Sequence, residues 1–216
     1  TNRIFITSKL ATSKDLYIRN KNSPWITNIH SRGRAHLMRA SHDAILTTSK
    51  TVLDDNPLLN CRINGLEKYS PVRFILDKNL DIPINSRIVK SSKKINTYVF
   101  YCLFKKKKLD QLKNHHVKTI KVKNEKNHID FKEVIIFLRN KGIKRLLVET
   151  GITFNTFLLE NSYINEFYHF YSDKLFDKRG FYSGKLLLHK MNKLRKKKKE
   201  IKINLFNDKL VKYLLK

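Results

Sequence analysis

"DFKEVIIFLRNKGIKRLLVETG", Asp130 to Gly151, is the stretch that decides the fold class. Apolar positions recur at helical spacing through its first half, which predicts a helix over 130–142. Asp130 is placed to cap the start of that helix and Gly142 to end it. The apolar run at 144–149 follows at once and reads as a buried strand. A glycine turn at Gly151 and a second helical pattern, "GITFNTFLLEN", come next. Strands separated by helices imply an α/β domain with a largely parallel sheet.

The same alternation repeats outward from this stretch. "RIFITSKLA" (3–11) alternates like a strand, and "DAILTT" (43–48), "VRFILD" (72–77), "INTYVFY" (95–101) and "TIKV" (119–122) read as short strands. "SRGRAHLMRASH" (31–42) suits a helix begun by Ser31 and weakened at Gly33. "INEFYHFY" (164–171) predicts a further strand. The tail "KEIKINLFNDKLVKYLLK" (199–216) predicts two strands joined by a hairpin turn at Asn207-Asp208, adding antiparallel strands at one edge.

Composition narrows the class. The 216 residues fit one domain (1–216) with a buried core, and a hydrophobic share of 41% excludes a disordered polycation. No apolar run approaches the roughly 18–20 residues that span a bilayer, so no membrane partner is expected. Cys61 and Cys102 are too few for a disulfide framework or a zinc site alone, and a reducing cytoplasm is the simplest setting. The chain opens on Thr, as a processed chain or a cut segment would. A net charge of +28 invites a nucleic-acid reading through counterion release. The 34 lysines are nevertheless spread along the chain, and the runs Lys105–Lys108 and Arg195–Lys199 lie in expected loops. The charge reads as a solvated face, in keeping with drift in an AT-rich genome.

Open α/β sheets bind ligands beyond the carboxyl ends of their strands. Polar residues sit there repeatedly: Lys9 and Asp15 after the first strand, Asp54-Asp55 after the second, Asp77-Lys78 after the third, and Glu149 with Gly151 after a later one. The chain has no GxGxxG, no Walker loop, no HExxH and no GxSxG. The pair His115-His116 falls in a basic, surface-like stretch, and no metal is expected.

"KLATSKD", "SPWIT", "DAILTTSKTVLDDNPLLNCR" and "LLVETG", in that order and spacing, resemble the reductase domain of the bacterial bifunctional riboflavin-biosynthesis deaminase–reductase. With "FILDKNLDIP" and "NEFYHFYSDKLF" the resemblance spans residues 3 to about 180. It implies a three-layer dihydrofolate-reductase-like α/β domain, mostly parallel, with a C-terminal antiparallel hairpin. It also implies NADPH-dependent reduction of 5-amino-6-(5-phosphoribosylamino)uracil, opening its ribose into a ribityl chain. The zinc deaminase signature HxE…PCxxC is absent, so the chain is expected to be the reductase half, with its deaminase separate or fused. A homodimer fits the same resemblance. Two departures stand out: Leu16 where the family usually has Gly, and Asp173 where it usually has Pro.

The resemblance places Lys9 and Asp55 at the ribose, as the catalytic pair. Ser23, Arg39, Leu59, Arg62 and Glu149 match substrate positions; a guanidinium suits a sugar phosphate and a carboxylate suits uracil N–H groups. Ala11, Trp25, Thr51, Asp55 and Lys78 match cofactor contacts. So does the turn Gly151, Ile152, Thr153, Phe154, Asn155, Thr156 and Phe157, whose helix-opening amides suit a pyrophosphate. Asp54 matches a position that is usually not acidic and reads as solvent-facing, with Asn56-Pro57 fixing the turn that presents Asp55. Each residue also has a plain structural reading. Asp55 suits a turn cap, Trp25 a core aromatic, Glu149 an ion pair with lysine, and the arginines exposed surface. Two other functions compete: an NADPH reductase of another pterin- or pyrimidine-like substrate, and a basic RNA-binding protein that has lost catalysis. The latter would need exposed aromatics on a basic face.

Overall fold

A computed structural model describes residues 3–23 and 25–216; Pro24, inside the "SPWIT" passage, lies outside the described residues. In chain order, strands β1 (Phe5–Thr12) and β2 (Tyr17–Asn20) precede helix α1 (Ile29–Ala40). Strand β3 (Ala44–Thr48) runs straight into α2 (Ser49–Asp55), followed by β4 (Val72–Leu76), α3 (Arg87–Lys90) and β5 (Thr97–Tyr101). Helix α4 (Lys106–Asn114), β6 (Lys118–Lys121) and the ribbon β7 (Asn124–Glu125) with β8 (His128–Ile129) come next. Helix α5 (Phe131–Asn140), β9 (Arg145–Glu149), α6 (Ile152–Glu160) and β10 (Glu166–Tyr171) continue the alternation. The chain closes with β11 (Gly180–Ser183), α7 (Lys185–Leu194), β12 (Lys197–Glu200) and β13 (Lys209–Leu214). The described residues gather into two compact units, one built on Met38–Leu146, the other on Phe5–Leu37 with Leu147–Lys216.

In the first unit β3, β4, β5 and β6 pair in parallel, with Ala44 beside Val72, Phe74 beside Tyr98, and Tyr98 beside Lys118. Strands β3, β4 and β5 are almost wholly buried, as parallel strands covered on both faces are. Phe74 stacks on Tyr98 and Phe100 with ring centroids 4.9 and 5.9 Å apart, and Phe137 of α5 meets Phe100 edge-on at 5.3 Å. The Asp130 side chain accepts from Lys132 N–H at 2.9 Å and caps α5. Gly142, at φ 76°, ends that segment in a conformation costly for other residues.

In the second unit β1 pairs in parallel with β10, while β13 pairs antiparallel with both β10 and β12. The fold is α/β, with mostly parallel strand pairing and antiparallel strands at the C-terminal end. Buried His169 lies 2.8 Å through Nε2 from Thr12 Oγ1, and burial, helped by Lys198, lowers its pKa to about 4. It is therefore a neutral core residue at physiological pH.

Three expectations are corrected. Helix α1 starts at Ile29, because Asn28 Oδ1 caps it by accepting from His30 and Ser31 N–H at 2.9 and 3.0 Å. Ser31 is instead buried and donates to Asp208 Oδ2 at 2.6 Å. Asp208 also accepts from Asn28 N–H at 2.8 Å, so it anchors α1 and is no hairpin tip. Strands β12 and β13 do pair, but an eight-residue connection, 201–208, joins them. The lysine runs, read as loops, enter regular structure: Lys106–Lys108 open α4, and Lys197–Lys199 form most of β12. Lysine tolerates helix well, and on a strand it discourages pairing with other chains. Among the described residues, no helix is long and apolar enough to cross a membrane. No group of three or more His, Cys, Asp or Glu there is arranged to hold a metal.

Candidate active site

In the first unit the expected residues Thr51, Asp55, Leu59 and Arg62 lie in α2 and the turn that follows it. Thr48 caps this helix, its hydroxyl 3.2 Å from that of Thr51 and accepting Thr51 N–H at 3.4 Å. Asp55 is the last helical residue and is exposed. Asn56 then turns left-handed (φ 42°, ψ 55°), returns its N–H to Val52 O at 3.0 Å, and accepts from Arg87 N–H at 2.8 Å. The residue that stops the helix is therefore Asn56, and Pro57 follows the stop. Asp54, read as solvent-facing, is half-buried and pairs with Lys50 at 3.0 Å, one helical turn back.

The turn continues through Leu59, buried and also left-handed (φ 50°), to Cys61, whose N–H donates to Ser70 Oγ at 3.0 Å. Arg62 is exposed. Arg39, in the last turn of α1, donates to the Asn60 carbonyl at 3.1 Å, which brings the two arginines to the same turn. Beneath the turn, wholly buried Arg73 donates to Leu58 O at 2.9 Å. Lys78 donates to Asn127 O and Oδ1 at 3.0 and 2.6 Å. Its carbonyl accepts the amides of Cys102 and Leu103, which border an open depression of about 420 Å³ also lined by Lys121 and Lys123.

In the second unit the glycine turn is held from within. Asn155 Nδ2 donates to Thr150 O, Thr150 Oγ1 and Gly151 O at 3.1, 3.2 and 3.0 Å, and its Oδ1 accepts from Ser8 of β1. The Asn155 side chain, expected among the cofactor contacts, is thus fully buried and committed to the turn itself. Lys9 follows Ser8, with its ammonium 5.5 Å from the Phe170 ring. Ala11 lies further along β1, and Glu149 ends β9, both partly exposed. Gly151 has an extended backbone (φ −73°, ψ −177°), which any residue can adopt, and a Cβ there would meet nothing within 4 Å. The fold itself does not require glycine there; close approach by a ligand would. Helix α6 opens without a side-chain cap, so its first amides, at Ile152, Thr153 and Phe154, point out of the helix start. Thr156 is partly exposed, and Phe157 stacks between Phe154 and Tyr163 at 5.7 and 6.1 Å.

Ser23 Oγ accepts Trp25 N–H at 3.1 Å. Trp25 is 50% exposed, with the Arg32 guanidinium 4.5 Å from its ring, which removes the core-aromatic reading. The turn after β1 is stitched by Asp15, which accepts from Ser13 Oγ at 2.6 Å, from Asp177 N–H at 2.8 Å and from Phe176 N–H at 3.1 Å. Burial alone would raise the Asp15 carboxyl, but these hydrogen bonds outweigh it and hold its pKa below the ordinary value. Leu16 sits there at φ 68°, a left-handed conformation that favours glycine and is costly for leucine. Two residues escaped the sequence reading in their actual roles, Arg73 and Asn155. The lone arginine inside the apolar run "VRFIL" was the available signal for the first.

A family model described as "RibD C-terminal domain" matches residues 4–201. The riboflavin biosynthesis protein RibD of Actinobacillus pleuropneumoniae is 28% identical over 177 residues, covering 81% of this chain and 46% of the relative. The 5-amino-6-(5-phosphoribosylamino)uracil reductase of Buchnera aphidicola subsp. Acyrthosiphon pisum is 28% identical over 169 residues, covering 73% of this chain and 79% of the relative. The chain thus spans about half the length of the first relative and most of the second. Among solved structures, Acinetobacter baumannii RibD superposes with a TM-score of 0.77 at 20% identity, covering 100% of this chain and 59% of that one. Enterococcus faecalis dihydrofolate reductase does so at 0.51 and 9% identity, covering 97% and 95%. At these identities the two structures speak for the fold.

Proposed function

The chain belongs to the RibD C-terminal domain family, and from that premise we propose that it reduces 5-amino-6-(5-phosphoribosylamino)uracil to its ribitylamino counterpart with NADPH, in the cytoplasm. The observation that carries this reading is the similarity to the Buchnera reductase, which extends over 79% of that enzyme. The open space at Gly151 and the uncapped start of α6 fit a nicotinamide dinucleotide. When bound, NADPH supplies a hydride to the anomeric carbon of the opened sugar.

The chain's own groups do the rest. The α6 amides hold the pyrophosphate, and the Lys78 ammonium favours the 2′-phosphate. Trp25, Ala11 and Thr51 line the cofactor. Arg39, Arg62 and Ser23 hold the sugar phosphate, Leu59 seats the substrate, and Glu149 accepts from the pyrimidine. Lys9 and Asp55 position the ribose hydroxyls, and they deliver the proton that the sugar oxygen or imine nitrogen gains as the carbon is reduced. The deaminated substrate comes from a deaminase, fused or separate, and a homodimer is the working assembly.

The test is purified protein with NADPH and the phosphoribosylamino-pyrimidine, following NADPH absorbance and product mass. Turnover with the ribityl product supports the reading, and no turnover under any cofactor removes it. Arg62→Ala and Arg39→Ala are expected to raise KM at least about tenfold for this substrate, the worth of one charge-assisted contact, and to leave a dephosphorylated analogue unaffected. Equal losses on both would make the arginines structural.

A further inference from the structure

We propose that Arg73, buried inside β4, is the positioning residue for the 56–62 turn and so sets the geometry between Asp55 and Arg62. This deepens the reductase reading and rests on it for its functional consequence. Arg73 is 0% exposed, yet all three guanidinium nitrogens are engaged. Nε donates to Thr97 Oγ1 at 3.0 Å. Nη1 donates to Leu58 O and Ser91 Oγ at 2.9 and 2.8 Å. Nη2 donates to Ile88 O and Ile95 O at 3.0 Å each and to Thr97 Oγ1 at 2.7 Å. None of these five partners is a carboxylate. A buried cation satisfied only by neutral oxygens is a costly way to fill a core, where an apolar side chain would serve. What the guanidinium provides, and an apolar residue lacks, is a rigid fork that joins three separate segments.

One of those segments is the turn itself, and it needs holding. Asn56 and Leu59 are both left-handed, at φ 42° and 50°; asparagine tolerates this at a helix end, but for leucine it persists only where its surroundings impose it. Leu58, whose carbonyl Arg73 binds, lies between them. The backbone N–H of Arg87 secures Asn56 and Ser70 secures Cys61, so Arg73 grips the middle of a turn pinned at its ends. Burial lowers the Arg73 pKa to about 10, which still leaves it cationic at neutral pH.

Native-state hydrogen exchange on the full chain, without substrate, tests this. In the wild type at low denaturant, Arg73 Nε–H and the Cys61 amide should share one opening constant. A Cys61 amide that exchanges while Arg73 stays protected overturns the proposal. Arg73→Lys keeps the charge but not the fork. It should cost the Asn56 and Cys61 amides about tenfold in protection while Leu138, in α5, keeps its own. A uniform loss at all three, or no loss, makes Arg73 an ordinary core residue. If Arg73→Lys does not fold, the wild-type comparison decides. For the folded variant, KM for the phosphorylated substrate should rise about tenfold with KM for NADPH unchanged. Selective loosening of the turn in Arg73→Lys, together with a wild type that turns over no substrate, would leave the positioning role standing and remove the reductase reading.

Discussion

Leu16 is held in a left-handed backbone from both sides: its N–H donates to Ser13 O at 3.0 Å and its carbonyl accepts from Gly184 N–H at 2.7 Å. A non-glycine residue there costs about 1–2 kcal/mol. Leu16→Gly is expected to raise stability by about 1 kcal/mol, after allowing for the freedom glycine adds to the unfolded chain. The urea midpoint checks it, and an unchanged or lower midpoint would mean that leucine packing outweighs the strain. A second prediction compares neighbours of identical chemistry. Asp55→Asn should lower kcat about a hundredfold, the scale of a lost proton-transfer group, with folding intact. Asp54→Asn should leave kcat nearly unchanged and cost a few tenths of a kcal/mol, about the worth of its helix pair with Lys50. Steady-state kinetics and circular dichroism separate the two, and equal activity in both mutants would sink the role of Asp55.

At the scale of elements, Asp15 ties the turn after β1 to the segment after β10 through the amides of Phe176 and Asp177. The tie has a pH signature. The folded pKa lies below the ordinary 3.8, so the unfolded chain binds the proton more readily. Its stabilisation is therefore complete above that value and disappears as pH falls through the folded pKa. Asp15→Asn should flatten the acid limb of a stability-versus-pH curve below about pH 4, compared with the wild type. Parallel curves for the two proteins would show that the bonds contribute the same in both protonation states.

For the whole molecule, a charge of +28 makes self-repulsion a global term. Repulsion acts over about 30 Å at 0.01 M salt and about 8 Å at 0.15 M. Raising salt between these limits should increase Tm by about 2–4 °C, equivalent to roughly 1 kcal/mol in a chain of this size. A scanning thermal melt at both ionic strengths checks it. A fall in Tm would mean that screening weakens ion pairs such as Lys212–Glu166 more than it relieves the repulsion.

The sequence by itself determined the features that depend on neighbours a few residues away. The cap at Asp130, the stop at Gly142, the apolar periods of α5 and β9, and the end of α2 after Asp55 were all readable, because local sterics and hydrogen bonds specify them. Tertiary structure decided what depends on distant partners. Ser31 looked like a cap, yet its hydroxyl goes to Asp208, 177 residues away, and the same carboxylate denies the tail a tight hairpin. The Asn155 side chain is spent on Ser8 and the glycine turn, and Trp25, for which a core aromatic was the plain alternative to a cofactor contact, is half exposed. Arg73 drew no reading inside the apolar strand "VRFILD"; its role is set by Leu58, Ile88 and Ile95, whose carbonyls surround it. Local pattern sets which elements form; a polar group's partner is set only once packing has brought distant segments within about 3 Å of one another.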